Sequence, residues 1–343
     1  MAATTYTGTG ATQTINNSAN GVSFQPDLVW VKGRSGATDH AWYDAVRGVQ
    51  KQLESNTTTA ETTETTGLTA FGSTGFTVGA LAQMNTNTAT YVAWQWLAGA
   101  GSSSSNTSGS ITSTVSVNAT AGFSVVTYTG TGANATVGHG LGVKPSMVIV
   151  KWRSSAGGSW ATWHSSFVTA SNTDYLLLDS TLAKGGAGSQ LFWNNTVPTS
   201  SVFSIGTNAG LNTNTGTYVA YCFAAVAGYS AFGKYTGNGS STNGPFVYLG
   251  FRPRWLMIKR SSTASVTYGW QMYDTSRQPA NTASSDPNLW ADTSAAEGTG
   301  NYTFDLLSNG FKLRSSGVNE NASGNTYIYA AFAENPFKLS LAR

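Results

Sequence analysis

The sequence predicts an all-β protein of three tandem β-sandwich domains, and three observations carry that prediction. The composition is poor in charge and rich in strand and turn residues. No segment keeps apolar residues at helical spacing over three turns. Six markers recur in the same order three times along the 343 residues.

Charged residues make up 10% of the chain, against about 25% in an ordinary globular protein. Thr, Ser, Asn, Gly and Ala fill the difference. Thr favours strands, and Asn, Gly and Ser favour turns. Aromatics reach 12%, with 11 Trp, 15 Tyr and 15 Phe, enough for a sizeable core. A disordered chain would be poor in aromatics and rich in charge. Only Asp44–Glu54 hints at a helix, and Gly48 interrupts it.

The first marker is a tyrosine running into glycines: Tyr6-Thr-Gly-Thr-Gly10, Tyr128-Thr-Gly-Thr-Gly132 and Tyr235-Thr-Gly-Asn-Gly239. Such turns use the positive φ that glycine adopts freely. The second runs from proline to lysine in six steps each time: Pro26–Lys32, Pro145–Lys151 and Pro253–Lys259. Proline donates nothing to a ladder and suits the first residue of a strand. The unbroken apolar run after it reads as a strand buried on both faces. The third is tryptophan-rich, with Trp42, Trp163 and Trp270 near one place in each copy. The fourth is a polar turn after Leu53, Leu178 and Trp290. The fifth centres on Phe76, Phe203 and Phe311. The sixth is Thr90-Tyr-Val-Ala-Trp94, Thr217-Tyr-Val-Ala-Tyr221 and Thr326-Tyr-Ile-Tyr329.

These markers divide the chain into repeat one (1–98), a Gly/Ser linker (99–109), repeat two (110–227) and repeat three (228–343). Repeat two opens with a strand at Ile111–Val117. Repeat one has no counterpart before Tyr6, so its first strand is expected to be missing, or supplied by another chain or by Phe337–Arg343. Repeats two and three abut at Ala227–Ser230 and are expected to pack rigidly.

Net charge is +3, too little for a nucleic-acid stripe. Arg252, Arg254, Lys259 and Arg260 read as strand-flanking surface residues. The single Cys222 excludes an intrachain disulfide and cysteine-rich metal sites. The N-terminus lacks the basic and apolar regions of a signal peptide. No apolar stretch is long enough to span a membrane as a helix.

No catalytic constellation emerges. A nucleophile elbow, a Walker loop and the common metal motifs are all missing, so no catalytic residue, metal ligand or cofactor is assigned. Scattered Asp and carbonyl groups could hold Ca²⁺, but nothing points to a site. Asp44 and Asp274 are equivalent, with His164 in repeat two. Glu61 and Glu297 match, with Lys184 in repeat two. The mismatch argues against a paired-carboxylate glycosidase in every copy; one active repeat stays open, and no repeat stands out as enriched in acids and bases. His139, in Gly138-His-Gly-Leu-Gly142, reads as a turn histidine or as a ligand-binding group. Trp42, Trp163 and Trp270 either fill the core or present indoles to a sugar or a protein partner.

At Phe24–Lys32 with Val46-Arg-Gly-Val49, at Val137–Pro145, and at Asn87–Trp94, the chain resembles a repeated domain of tail-fibre-like and other structural proteins of tailed bacteriophages, especially cyanophages and marine phages. That domain is similar to concanavalin-like or laminin-G-like jelly-roll sandwiches, and the resemblance covers essentially the whole chain. It implies a non-enzymatic component of the virion exterior. The partners it implies are other phage virion proteins and a host surface glycan or receptor, with no nucleic acid and no membrane insertion. A tail-fibre or adhesin component, with a homotrimer as the expected oligomer, is the leading expectation. The loops Ser261–Tyr268 and Gln278–Asn288 would be available for recognition. A capsid decoration protein bound to the major capsid protein is the alternative, and a glycan-degrading enzyme the remote one.

Overall fold

A computed structural model describes residues 1–17, 23–167, 174–185, 189–263, 269–281, 286–299 and 304–336. The fold is all-β, with antiparallel sheets and a few one-turn helices. The segment Phe337–Arg343, residues 264–268 of the first expected recognition loop and 282–285 of the second lie outside the described residues.

One four-stranded sheet occurs three times with the same order. In repeat one it runs Ala2–Thr7, Thr90–Trp96, Leu28–Gly33, Ala41–Asp44. In repeat two the order is Phe123–Thr129, Thr217–Phe223, Met147–Trp152, Ala161–His164. In repeat three it is Ser230–Thr236, Thr326–Ala333, Pro253–Arg260, Trp270–Asp274. The proline-to-lysine runs are these central strands, and they are buried throughout.

Alternation along those strands shows why both faces must be apolar. Val29 and Val31 face outward into a core closed by a smaller sheet, Gln13–Asn16, Gly75–Val78 and Leu68–Gly72. Repeat three has the same three-stranded outer layer, repeat two a two-stranded one, Ala135–Gly138 with Val202–Ile205, and each has a core of its own. Leu28 and Trp30 face the other way. They join Met147 and Ile149 of repeat two and Trp255 and Met257 of repeat three in one central cluster. The three sheets therefore close round a shared core, and the repeats form one body.

The glycine marker is explained twice over. The first glycine of each copy lies against backbone: a Cβ on Gly8, Gly130 or Gly237 would sit 2.1–2.4 Å from the carbonyl oxygen of Thr86, Thr213 or Ala322. The second, Gly10, Gly132 and Gly239, has φ of +70, +76 and +70°, where other residues are strained.

Several expectations are corrected. The segment 99–109 is part of the fold. Its strand Ser104–Asn106 pairs with Ser113–Asn118, which pairs in turn with Phe123–Thr129. Just before it, the Ala98, Ala100 and Gly101 amides donate to the buried Asp27 carboxylate at 2.7–2.9 Å. Repeat one is not short of a strand. Repeats one and three both end their sheet at Ala2–Thr7 and Ser230–Thr236, and repeat two alone carries the extra hairpin. Asp44–Glu54 is a turn and a short strand rather than a helix, with Gly48 at φ +92°. Arg254 and Lys259 are buried rather than on the surface.

Candidate functional site: the seams and the exposed faces

Strand register fixes which residues are equivalent. Leu28, Met147 and Trp255 pair with Asp44, His164 and Asp274. Counting back, Trp42 matches Thr162 and Met272; Trp163 matches Tyr43 and Tyr273; Trp270 matches Trp160 and His40. The three tryptophans of the third marker are therefore not equivalent. All three are 0–1% exposed, so none presents an indole face to solvent. The indole N–H groups of Trp42 and Trp163 meet no acceptor among the described residues; the rings are held by packing, with the Lys144 ammonium 5.7 Å from the Trp163 ring centre.

Trp270 belongs to a cyclic set. Its indole N–H donates across the seam to the Leu177 carbonyl of repeat two at 2.9 Å. Trp160 donates likewise to Glu54 of repeat one at 2.8 Å. His40 replaces the indole in repeat one and bonds the Trp290 carbonyl of repeat three at 2.9 Å. Each repeat thus reaches the one before it, and the third link closes the ring. Trp30 donates to His40 Nδ1 at 2.7 Å, so Nε2 carries the proton given to Trp290. Burial, with Lys32 nearby, pushes the His40 pKa down to about 3.

Two of the three seams hold the same charged network. At the seam between repeats one and two, Arg47 is buried against Asp44 and donates to Glu61 at 3.0 Å. Arg153 of repeat two grips the same Glu61 through Nε and Nη2 of its guanidinium, at 2.9 and 3.0 Å. The Tyr221 hydroxyl donates to Asp44 at 2.7 Å. Between repeats three and one, Arg277 pairs with Asp274 at 2.6 Å and Glu297 at 3.0 Å. Arg34 of repeat one grips Glu297 at 2.8 and 3.0 Å, and Trp94 donates to Asp274 at 3.0 Å. The arginines hold the Glu61 and Glu297 carboxyls below the usual range despite their burial.

The seam between repeats two and three keeps the backbone link, Lys184 N to Ser261 O at 3.1 Å, and replaces every charge of the network. His164, Phe167, Lys184 and Ser261 stand where the other seams have Asp, Arg, Glu and Arg. His164 Nδ1 accepts from Ser166 N, and Nε2 donates to the Tyr329 carbonyl at 3.2 Å. Burial lowers its pKa to about 4. Phe167 and Phe232 pack beside it, with centroids at 5.8 and 6.3 Å.

The three marker lysines, Lys32, Lys151 and Lys259, are fully buried. Their ammonium groups reach the carbonyls of Ser294, Gly158 and Thr181. Burial lowers each pKa to about 8. His139 is buried in its glycine turn, accepting from Leu141 N and bonding the Thr199 carbonyl, each at 3.2 Å. Burial lowers its pKa as well.

Outward, the copies differ. Among the described residues Phe246, 45% exposed, and Tyr248, 69% exposed, are the most open aromatic side chains. They lie on one face of the strand Phe246–Tyr248. Register places Thr14 and Asn16, or Thr136 and Gly138, at the same points of repeats one and two. Two clefts of ≈ 300 Å³ open beside the loops after the central strands of repeats one and two. Among the described residues no group of three or more His, Cys, Asp or Glu is placed to hold a metal ion. No helix there is long and apolar enough to cross a membrane.

Sequence reasoning found Asp44, Glu61, Asp274 and Glu297 as matched positions and weighed them only against catalysis. It missed Arg47 and Arg277, three residues after each Asp, and Arg34 and Arg153, two after each lysine. Repeat two loses the Asp, the Arg three after it and the Glu together, at His164, Phe167 and Lys184, and repeat three loses the Arg after the lysine, at Ser261; those linked losses were the available signal.

A protein-family profile, described as a domain of unknown function (DUF7483), matches residues 1–336 as one unit. The chain belongs to that family, and the match runs through all three repeats. No curated protein and no solved structure matches the chain.

Proposed function

We propose that this chain is a non-catalytic building block of the exterior of a tailed-phage particle, most simply a tail-fibre or adhesin component that meets a host surface glycan or receptor. We read each repeat as a jelly-roll sandwich of the concanavalin or laminin-G kind. The observation that carries the reading is the closed ring of three repeats. Nearly all the aromatic material and the matched charges are spent on the shared core and the seams, which suits a rigid mount. The outer faces, which differ between copies, are left as the variable contact surfaces. The phage resemblance of the central-strand motifs supplies the setting.

A capsid decoration protein bound to the major capsid protein is the second reading. One observation favours it: a single chain that closes its own threefold arrangement suits a local threefold position on a shell. Cryo-EM or immunogold localisation on the intact particle tests both. Label at the tail supports the adhesin reading, and label over the head supports decoration. Label nowhere on any particle overturns both. Light scattering adds the oligomer: the ring predicts a stable 35.8 kDa monomer, and a trimer of chains shows as three times that mass.

A further inference from the structure

Repeat two carries a cleft with an aromatic wall, and Phe192 supplies the wall. Hydrogen bonds set the equivalence. Gly206 N and Asn208 N donate to the Phe192 and Leu191 carbonyls, as Gly79 N and Leu81 N donate to those of Gly67 and Thr66. Phe192 thus stands where repeat one has Gly67, whose Cβ would meet the Tyr43 hydroxyl at 2.1 Å. Tyr175 stacks on one face of the Phe192 ring, with 3.7 Å between centroids and 14° between planes. Phe192 stays partly exposed and lines a cleft of ≈ 300 Å³ with Gly157, Gly158, Ser159, Asn208 and Ala209.

The lining fits a narrow class of ligand. No charged side chain lines the cleft, so neither a phosphate nor a metal ion would find a counter-charge. Asn208 Oδ1 accepts from Gly210 N at 2.8 Å. That bond orients the amide and leaves Nδ2 as a donor without a partner among the described residues. Gly157 is exposed at φ +86° with open space where a Cβ would be, so a ligand can come close to the loop backbone. Gly157 N is taken by the Thr58 carbonyl and the Gly158 carbonyl by Lys151, so the loop offers the Gly157 carbonyl; with one aromatic face and one oriented amide it matches the C–H face and the hydroxyls of a sugar ring. The volume sits at the lower end of small-molecule sites, about 300–1,000 Å³, and suits a single ring. The cleft of equal size in repeat one lacks the wall, because its only aromatic, Tyr91, is 1% exposed.

We propose that the repeat-two cleft binds one uncharged pyranose residue, stacked on Phe192 and hydrogen-bonded by Asn208 Nδ2 and the Gly157 carbonyl. This deepens the exterior-particle reading, on which the source of the sugar rests.

Saturation-transfer NMR on the full chain tests it, with the methyl glycosides of glucose, galactose, mannose and N-acetylglucosamine as probes. At least one is expected to respond. Phe192→Ala should weaken that response at least tenfold. Ala209→Trp, which puts an indole at the exposed mouth, should abolish it with circular dichroism and Tm unchanged. Tyr248→Ala should leave it intact. A silent panel overturns the proposal, as does a response that survives both cleft variants or is lost only in Tyr248→Ala. Particle localisation separates the two readings. Exterior label with a silent cleft removes only the sugar site. A responding cleft with no label on any particle keeps the site and removes the setting.

Discussion

The seams on either side of repeat one are built on buried Asp–Arg–Glu–Arg networks, whereas the seam between repeats two and three uses His164, Phe167, Lys184 and Ser261 at the same points. All three keep the backbone link and the ring-nitrogen link to the preceding repeat. The charges are therefore not what the closed arrangement requires. A buried ion network can be exchanged as a set for neutral packing, while losing one member strands a buried charge. Connectivity tracks the difference. Repeats two and three are joined directly through Val226–Ser230, and a short tether raises the effective concentration of the faces it joins. The two charged seams have a long connection or none.

That contrast can be broken by putting methionine at one equivalent position in two seams. Arg277→Met leaves Asp274 and Glu297 buried without their guanidinium and should cost about 3–5 kcal/mol. Phe167→Met at the seam without the network, whose one ion pair among the described residues is Lys184 with Asp174, should cost about 1–2 kcal/mol. Urea unfolding of both variants reads the difference, and equal losses would erase the distinction between the seams.

A second contrast lies inside the outer cores. Repeat three has the fully buried Glu320 where register-matched Asn85, Asn212 and Asn321 place Met84 and Leu211 in its sisters. Ser315 donates to it at 2.5 Å and Gln271 at 3.4 Å. Burial raises its pKa from 4.5 to about 7. The folded state thus holds the proton more tightly than the unfolded chain. Its stabilising contribution is complete below pH 4.5 and is lost as pH rises towards 7, by about 3 kcal/mol. Glu320→Gln should flatten the stability profile across that window and raise stability at pH 8. An unchanged profile would show that Glu320 does not carry the slope. His164 has the opposite sign. Its lowered pKa gives stability present above 6.5 and lost as pH falls towards 4, and its ring NMR signals should not titrate above pH 5.

Smaller effects sharpen the picture at the surface. Arg34→Gln should cost under about 1 kcal/mol, less at high salt, because Arg34 is partly exposed. Phe246→Thr with Tyr248→Asn, the residues of repeat one, should change stability by no more than about 0.5 kcal/mol. A larger loss in urea titration would mean the pair is packed.

Much of the fold could be read from the sequence. The Pro26–Lys32, Pro145–Lys151 and Pro253–Lys259 runs announce strands buried on both faces, and they are. What covers the second face was not legible. The covering residues come from other repeats: Trp94 meets Asp274 and Tyr221 meets Asp44 across 180 and 177 residues. Period-two patterning says that a side is buried and not against what. The lysines misled for a related reason. A charge closing an apolar run reads as a strand end in water, yet Lys32 and Lys259 reach carbonyls of a neighbouring repeat and Lys151 a carbonyl of its own loop, all three buried. The cleft was illegible because Phe192 and Asn208 meet only through tertiary packing.

Differential scanning calorimetry of the full chain tests the shared core most directly. One transition is expected, with calorimetric and van't Hoff enthalpies equal, moving as a whole in Arg277→Met. Separate transitions, only one of which moves in that variant, would contradict the account and make the repeats independent domains on a string.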